Sequence, residues 1–409
     1  MPICYNTPPM LIKIPFPIQT PERLKKLPPY LFAEVDRRKR QLIASGRDVV
    51  DLGVGDPDLP TPSFIIDALN RAAQDPANHR YALDSGMPVF RQAIRDWFEK
   101  RFGVKLDPDK EILPLIGSKE GIAHFPLAML NPGDVSLIPD PGYPVYNSST
   151  LFAGGVPYFM PLLESNGFLP DFSAIEKEAL KKAKLMFLNY PNNPTSAVAS
   201  LDFFKKAVDF AYQNKVFIAQ DAAYTETAYD GYRAPSILQV QGAKDVCVEF
   251  HSLSKTFNMT GWRVGFAVGN AEALAQLGKI KSNVDSGIFQ AIQLAAREAL
   301  EKGEEARKRN LEIYQKRRDL FVSGLKNLGW EFQSPKATFY CWIPVPPGST
   351  SSELAVNFLE KMSIVVTPGN GFGKNGEGYF RVSLTVPEHR IEEALRRIAE
   401  THHHPHLKK

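Results

Sequence analysis

Seven near-continuous apolar runs, separated by helical stretches, fill the chain between Glu111 and Gly269 and constrain its fold more than any other feature. They are Ile112–Ile116, Val135–Pro139, Val156–Met160, Leu185–Asn189, Val216–Gln220, Val246–Phe250 and Val264–Val268. A strand with one wet face alternates apolar and polar residues. Runs that do not alternate are covered on both faces. Alternation with helices predicts an α/β fold with a mostly parallel central sheet. On such sheets ligands bind beyond the carboxyl ends of the strands. Polar residues that directly follow a run are therefore candidates for one shared site.

At 409 residues the chain exceeds the roughly 250–300 at which a single core stops growing, so two domains are expected. Residues 1–50 read as an arm and a helix packing with the small domain, 51–290 as the large domain, and 291–409 as a smaller α+β domain. Residues 1–29 are Pro-rich and predicted extended. Tyr30 to Ala44 has helical periodicity, and Asp48 to Leu52 reads as a short strand. After Ala271 the chain is long-helical to about Arg318. Strands such as Phe339–Ile343 and Tyr379–Leu384 then mix with helices. The net charge of +4 gives no footprint for nucleic acid or an anionic membrane. The three cysteines, Cys4, Cys247 and Cys341, lack metal-ligand spacing and suggest a reducing, cytoplasmic setting. No run of about 20 apolar residues is present to span a membrane. The His-rich tail from His402 reads as frayed.

The sixth run leads into Ser252-Leu-Ser254-Lys255 and on to Gly261-Trp-Arg263-Val-Gly265. A lysine at the end of a buried strand has its stem in apolar surroundings. Desolvation lowers an ammonium's pKa, and a neutral amine attacks carbonyl carbon. Arg263, Ser252 and Ser254 are placed to hold a phosphate. The combination points to pyridoxal 5′-phosphate (PLP), with Lys255 as its Schiff-base lysine and residues 51–290 as the PLP-binding domain.

Other runs add to this. Asp221 follows the fifth run and suits a pyridinium nitrogen, although Asp is also a common helix N-cap. Asn193, in Asn189-Tyr-Pro-Asn-Asn-Pro-Thr195, and Tyr224 are candidate donors to the cofactor's phenolic oxygen; an Asn-Pro turn alone would also explain the former. Gly117-Ser118-Lys119 precedes an apolar helix whose N-terminus suits a phosphate. Tyr143 is either a ring-stacking aromatic or a turn tyrosine. Gly53 and Gly55 permit close backbone approach. Arg381, among apolar residues, requires a carboxylate partner, from a substrate or from an internal salt bridge.

With these motifs the chain resembles class I/II aminotransferases of PLP fold type I, from about Tyr30 to Ala399. The resemblance implies a PLP-dependent transaminase with Lys255, Asp221 and Tyr224 as its catalytic residues. Ser118, Lys119, Ser252 and Arg263 would form the phosphate cup, with Ser254 a further cofactor-binding residue, and Tyr143 the stacking aromatic. Arg381 would clamp the substrate α-carboxylate beside Asn193 and Gly53. Tyr81 would reach the phosphate of a neighbouring subunit, which implies a homodimer with shared sites. Ser196 stands where many members have Gly, and little functional effect is expected.

Leu27-Pro-Pro-Tyr30, Gly117-Ser-Lys-Glu-Gly121, Glu249-Phe-His-Ser-Leu-Ser-Lys255 and Lys281-Ser-Asn283-Val-Asp-Ser-Gly287 are most similar to LL-diaminopimelate aminotransferases. Those enzymes move an amino group between LL-2,6-diaminopimelate and 2-oxoglutarate, giving tetrahydrodipicolinate and glutamate, in lysine and peptidoglycan precursor biosynthesis. The resemblance makes Lys119, Asn283 and Tyr30 candidates for the distal carboxylate and Asp84 for the distal ammonium. Aspartate, alanine and aromatic aminotransferases or a β-eliminating lyase would use the same apparatus. A PLP-binding regulator would need a fused DNA-binding module, and the first 45 residues are too short and Pro-rich for one.

Overall fold

The structure, a computed structural model, describes residues 18–27, 32–82 and 85–402. After a two-residue strand, β1 (Val50–Asp51), seven strands build the large sheet. They are β2 (Ile112–Leu115), β3 (Val135–Asp140), β4 (Val156–Pro161), β5 (Ala183–Asn189), β6 (Phe217–Asp221), β7 (Cys247–Ser252) and β8 (Gly265–Gly269). Their spatial order is β2-β8-β7-β6-β5-β3-β4. Only β8 runs against the others. The segment between β7 and β8 holds only a four-residue helix, Leu253–Thr256, so the chain turns back at the end where β7 finishes.

The runs do not alternate because successive residues feed opposite cores. On β5, Met186 and Leu188 join one apolar cluster, whereas Leu185 and Phe187 join another. On β7, Cys247 belongs to the first and Val248 and Phe250 to the second. Strand β4 departs from the expected double coverage. It lies at the sheet edge, and Val156 and Phe159 are exposed.

The small domain has its own core, which joins Val50 and Leu52 to Phe321, Phe380 and Ile398. Strands β9 (Tyr340–Pro344), β11 (Thr367–Pro368) and β12 (Tyr379–Ser383) form one antiparallel sheet, and β10 (Ile364–Val365) pairs with β1. The helix Phe32–Ala44 meets this domain through Arg38 and Glu360.

Two expectations need correction. The arm read as extended contains a helical turn, Glu22–Lys25, closed by the Leu24 N–H on the Pro21 carbonyl at 2.9 Å and spanned by a Lys25–Glu22 contact of 2.6 Å. The long helices continue past Arg318, to Asn327. Among the described residues no helix is long and apolar enough to cross a membrane.

Candidate active site

The carboxyl ends of β5, β6 and β7 meet the N-terminus of the helix Ser118–Met129 and strand β12 at a cavity of about 420 Å³. Lys255 reaches it from the short helix after β7. Its Nζ donates to the Gly55 carbonyl at 2.9 Å and lies 5.7 Å from the Phe339 ring centre. Burial pushes its pKa down to about 8, helped by the positive charges of Arg381 and Arg263 and opposed by Asp56.

Asp221 ends β6 and is 6 % exposed. Tyr146 donates to its Oδ2 at 2.8 Å, and the Ala223 N–H reaches its Oδ1 at 3.3 Å. Desolvation raises its pKa to about 6 despite these bonds. No helix follows it, so the N-cap alternative fails.

At the other end, Gly117 caps the helix Ser118–Met129 with φ +74 and no side chain, leaving its first-turn N–H groups without a side-chain acceptor. The Arg263 guanidinium lies directly against Gly117, where any Cβ would overlap it. Lys119, Ser252 and Ser254 line the same end, and Ser252 Oγ accepts from the Ser254 N–H at 3.2 Å. Cationic and hydroxyl groups thus face one end of the cavity and a buried carboxylate the other.

Arg381 enters from β12. Its Nη1 donates to Asn193 Oδ1 and its Nη2 to the Gly53 carbonyl, both at 2.7 Å. The Tyr340 and Phe372 rings lie 4.2 and 4.8 Å from the guanidinium carbon. It is 4 % exposed, its Nε has no partner, and among the described residues no carboxylate pairs with it. The internal salt bridge is therefore not what holds it. Because Asn193 presents its oxygen to Arg381, its NH₂ is free for the cavity. The Tyr224 hydroxyl is 2.9 Å from that of Tyr340, and Tyr143 lines the wall.

Three predicted residues do not line this cavity: Gly53, which meets it only through the carbonyl that accepts from Arg381, and two others that lie outside it. Tyr81 is 86 % exposed, and Asn283 is exposed with its Nδ2 on the Lys279 carbonyl. Tyr30 and Asp84 lie outside the described residues. Three residues escaped the sequence reading. Tyr146 was visible three residues after Tyr143, and Asp56 beside Gly55. Tyr340 carried no signal, because a strand tyrosine reads as core. Gly55 owes its identity to Tyr340, whose ring carbons would be 2.7 Å from a Cβ there.

A helix N-terminus lined by cationic and hydroxyl side chains, a lysine of lowered pKa and a buried carboxylate on a mostly parallel sheet fit a PLP-dependent enzyme. The family model for aminotransferase class I and II matches residues 47–398, and the chain belongs to that family of transaminases. It is 53 % identical over 381 residues to the LL-diaminopimelate aminotransferase of Moorella thermoacetica, covering 93 % of this chain and 98 % of the relative. Identity to the LL-diaminopimelate aminotransferase of Aquifex aeolicus is 55 % over 377 residues, covering 92 % and 97 %. Among solved structures, substrate-bound BacF from Bacillus subtilis matches with TM-score 0.91 and 39 % identity, covering 94 % of this chain and 98 % of that one.

Proposed function

We propose that this chain is an LL-diaminopimelate aminotransferase, exchanging the amino group of LL-2,6-diaminopimelate with 2-oxoglutarate to give tetrahydrodipicolinate and glutamate. The relatives of that name, alike over more than nine-tenths of both chains, carry the substrate assignment. The observation that carries the chemistry is the convergence of Lys255, Asp221 and Arg381 on one cavity.

When bound, PLP supplies an electron-withdrawing ring that lets an α-amino acid lose its Cα proton. The residues fit that group. Ser118, Lys119, Ser252, Ser254 and Arg263 would hold its phosphate, at a helix N-terminus that favours an anion. Asp221 would keep its ring nitrogen protonated. The amide N–H of Asn193 and the hydroxyl of Tyr224 would donate to its ring oxygen, and Tyr143 would stack on its ring. Lys255 would be the amine that holds the group's aldehyde end, and as a neutral base of lowered pKa it would take and return the proton at substrate Cα.

Arg381, without a carboxylate of its own, takes the substrate α-carboxylate in bidentate fashion, with Gly53 and Asn193 fixing its plane. Lys119 serves the distal end, with Tyr30 and Asp84 as further candidates; Asn283, exposed outside its own chain's cavity, would contribute only from a neighbouring subunit. Tyr81 stands outside its own chain's cavity, which supports a homodimer in which it serves the neighbouring site. A cytoplasmic location accords with the free thiols of Cys247 and Cys341.

The test is a donor profile on purified, PLP-loaded protein. LL-diaminopimelate with 2-oxoglutarate should yield glutamate and the cyclic tetrahydrodipicolinate, whereas the meso isomer and aspartate should yield little. Activity with aspartate and none with diaminopimelate would refute the substrate and leave the transaminase chemistry intact.

A further inference from the structure

Away from the reacting groups, residues 369–378 of the small domain rest on the turn that follows β3. Asp140, the last residue of β3, is 3 % exposed. Its Oδ2 accepts from Asn375 Nδ2 at 2.7 Å and its Oδ1 from the Asn375 N–H at 3.2 Å. Gly373 approaches so closely that a Cβ there would overlap the Asp140 carboxylate. The Gly142 N–H donates to the Phe372 carbonyl at 2.8 Å.

Both sides of this contact lead to the cavity. From Asp140 the chain runs through Pro141 and Gly142 to Tyr143 in the cavity wall. On the small domain, Phe372 is 6 % exposed, and its ring lies against the Arg381 guanidinium.

A carboxylate is costly to bury unless it is hydrogen-bonded. Both donors to the Asp140 carboxylate come from one residue of the other domain, and Lys374 is its charged neighbour. Its burial therefore depends on the docking of that loop. Parting the domains would rehydrate the carboxylate, which makes the contact specific in geometry and reversible.

We propose that Asp140 and Asn375 are positioning residues, a carboxylate–amide latch between the domains. The latch seats residues 369–378 on the Tyr143 turn and so fixes Phe372 against Arg381. It acts on substrate through Arg381 and touches neither substrate nor cofactor. The inference rests on the reading of Arg381 as the carboxylate clamp.

The experiment is the half-reaction of PLP-loaded enzyme with glutamate, followed by stopped-flow absorbance. Wild type, Asn375→Ala, Asp140→Ala, the double variant and Arg381→Ala are compared. Glutamate Kd and the limiting rate are read, with PLP Kd measured separately. Each latch variant should raise glutamate Kd about tenfold, and the double variant no further, because both remove one contact. PLP Kd should stay within twofold. Should Asp140→Ala fail to fold, Asp140→Asn takes its place, since it replaces one acceptor oxygen with a donor. An unchanged glutamate Kd in Asn375→Ala would overturn the latch. So would multiplying effects in the double variant, or an equal rise in PLP Kd, which marks a merely structural role. If Arg381→Ala leaves glutamate Kd unchanged, the clamp reading itself falls. If that variant binds weakly and Asn375→Ala does not, only the latch falls.

Discussion

Arg381 of the small domain donates to Asn193 Oδ1 of the large domain at 2.7 Å, and this bond commits the amide oxygen and leaves the NH₂ of a cavity-lining residue available. One contact thereby orients two proposed ligand groups, a guanidinium for the substrate and an amide N–H for the cofactor.

Arg381→Ala should raise KM for both amino donor and oxo acid. The expected loss is about 2–5 kcal/mol, the usual cost of removing one partner of a buried charge pair. Arg381→Lys keeps the charge and loses the planar fork, so it should fall between the two. Steady-state KM for glutamate across the three proteins checks this. Equal values would return Arg381 to a structural role.

Much of this site was legible because its residues follow strands. The lowered pKa of Lys255 follows from a buried strand leading straight into it, and Asp221 and Asn193 stand where parallel strands end. Tyr340 was not legible. It comes from another domain, and only the tertiary fold brings its hydroxyl to Tyr224. The reversed β8 was hidden for a related reason, since an apolar run has no direction. The turn at Glu22 was missed because prolines dominate the composition there, while backbone hydrogen bonds onto the Pro21 carbonyl wind the few residues between them.

Lys255 should titrate far below an ordinary lysine. With its pKa pushed to about 8 by burial, the PLP-free protein should bind PLP at a rate that rises with pH through a midpoint near 8. Arg381→Ala removes a positive neighbour and should move that midpoint upward. Lys255→Ala should lose turnover altogether. A midpoint above 10 in wild type would contradict the burial argument.

Asp221 carries a stability cost that depends on pH. Its folded pKa, about 6, lies above the unfolded value near 3.8, so the folded state binds the proton more tightly. Stability from this group is therefore present at low pH and is lost as pH rises from about 4 to 6. PLP-free Asp221→Asn should be more resistant to heat than PLP-free wild type above pH 6. The gap should close below pH 4, where both side chains are neutral. Thermal unfolding of the two proteins at pH 4 and pH 7 checks the sign.

Ser196 supplies the last prediction. It sits at φ +60, a left-handed backbone that costs a non-glycine residue roughly 1–2 kcal/mol. Its hydroxyl offsets this by donating to the Tyr340 carbonyl at 2.7 Å, with Thr338 Oγ1 at 2.9 Å. Two such bonds contribute about 0.5–1.5 kcal/mol each, so strain and bonding nearly balance. Ser196→Gly removes both strain and bonds and should change stability by less than about 1 kcal/mol. Ser196→Ala keeps the strain and loses the bonds, and should cost about 1–3 kcal/mol by the same hydrogen-bond magnitudes. Urea unfolding should therefore rank alanine well below both glycine and serine. If alanine matches wild type, the hydroxyl contributes nothing, and the positive φ must be held by the neighbouring turn alone.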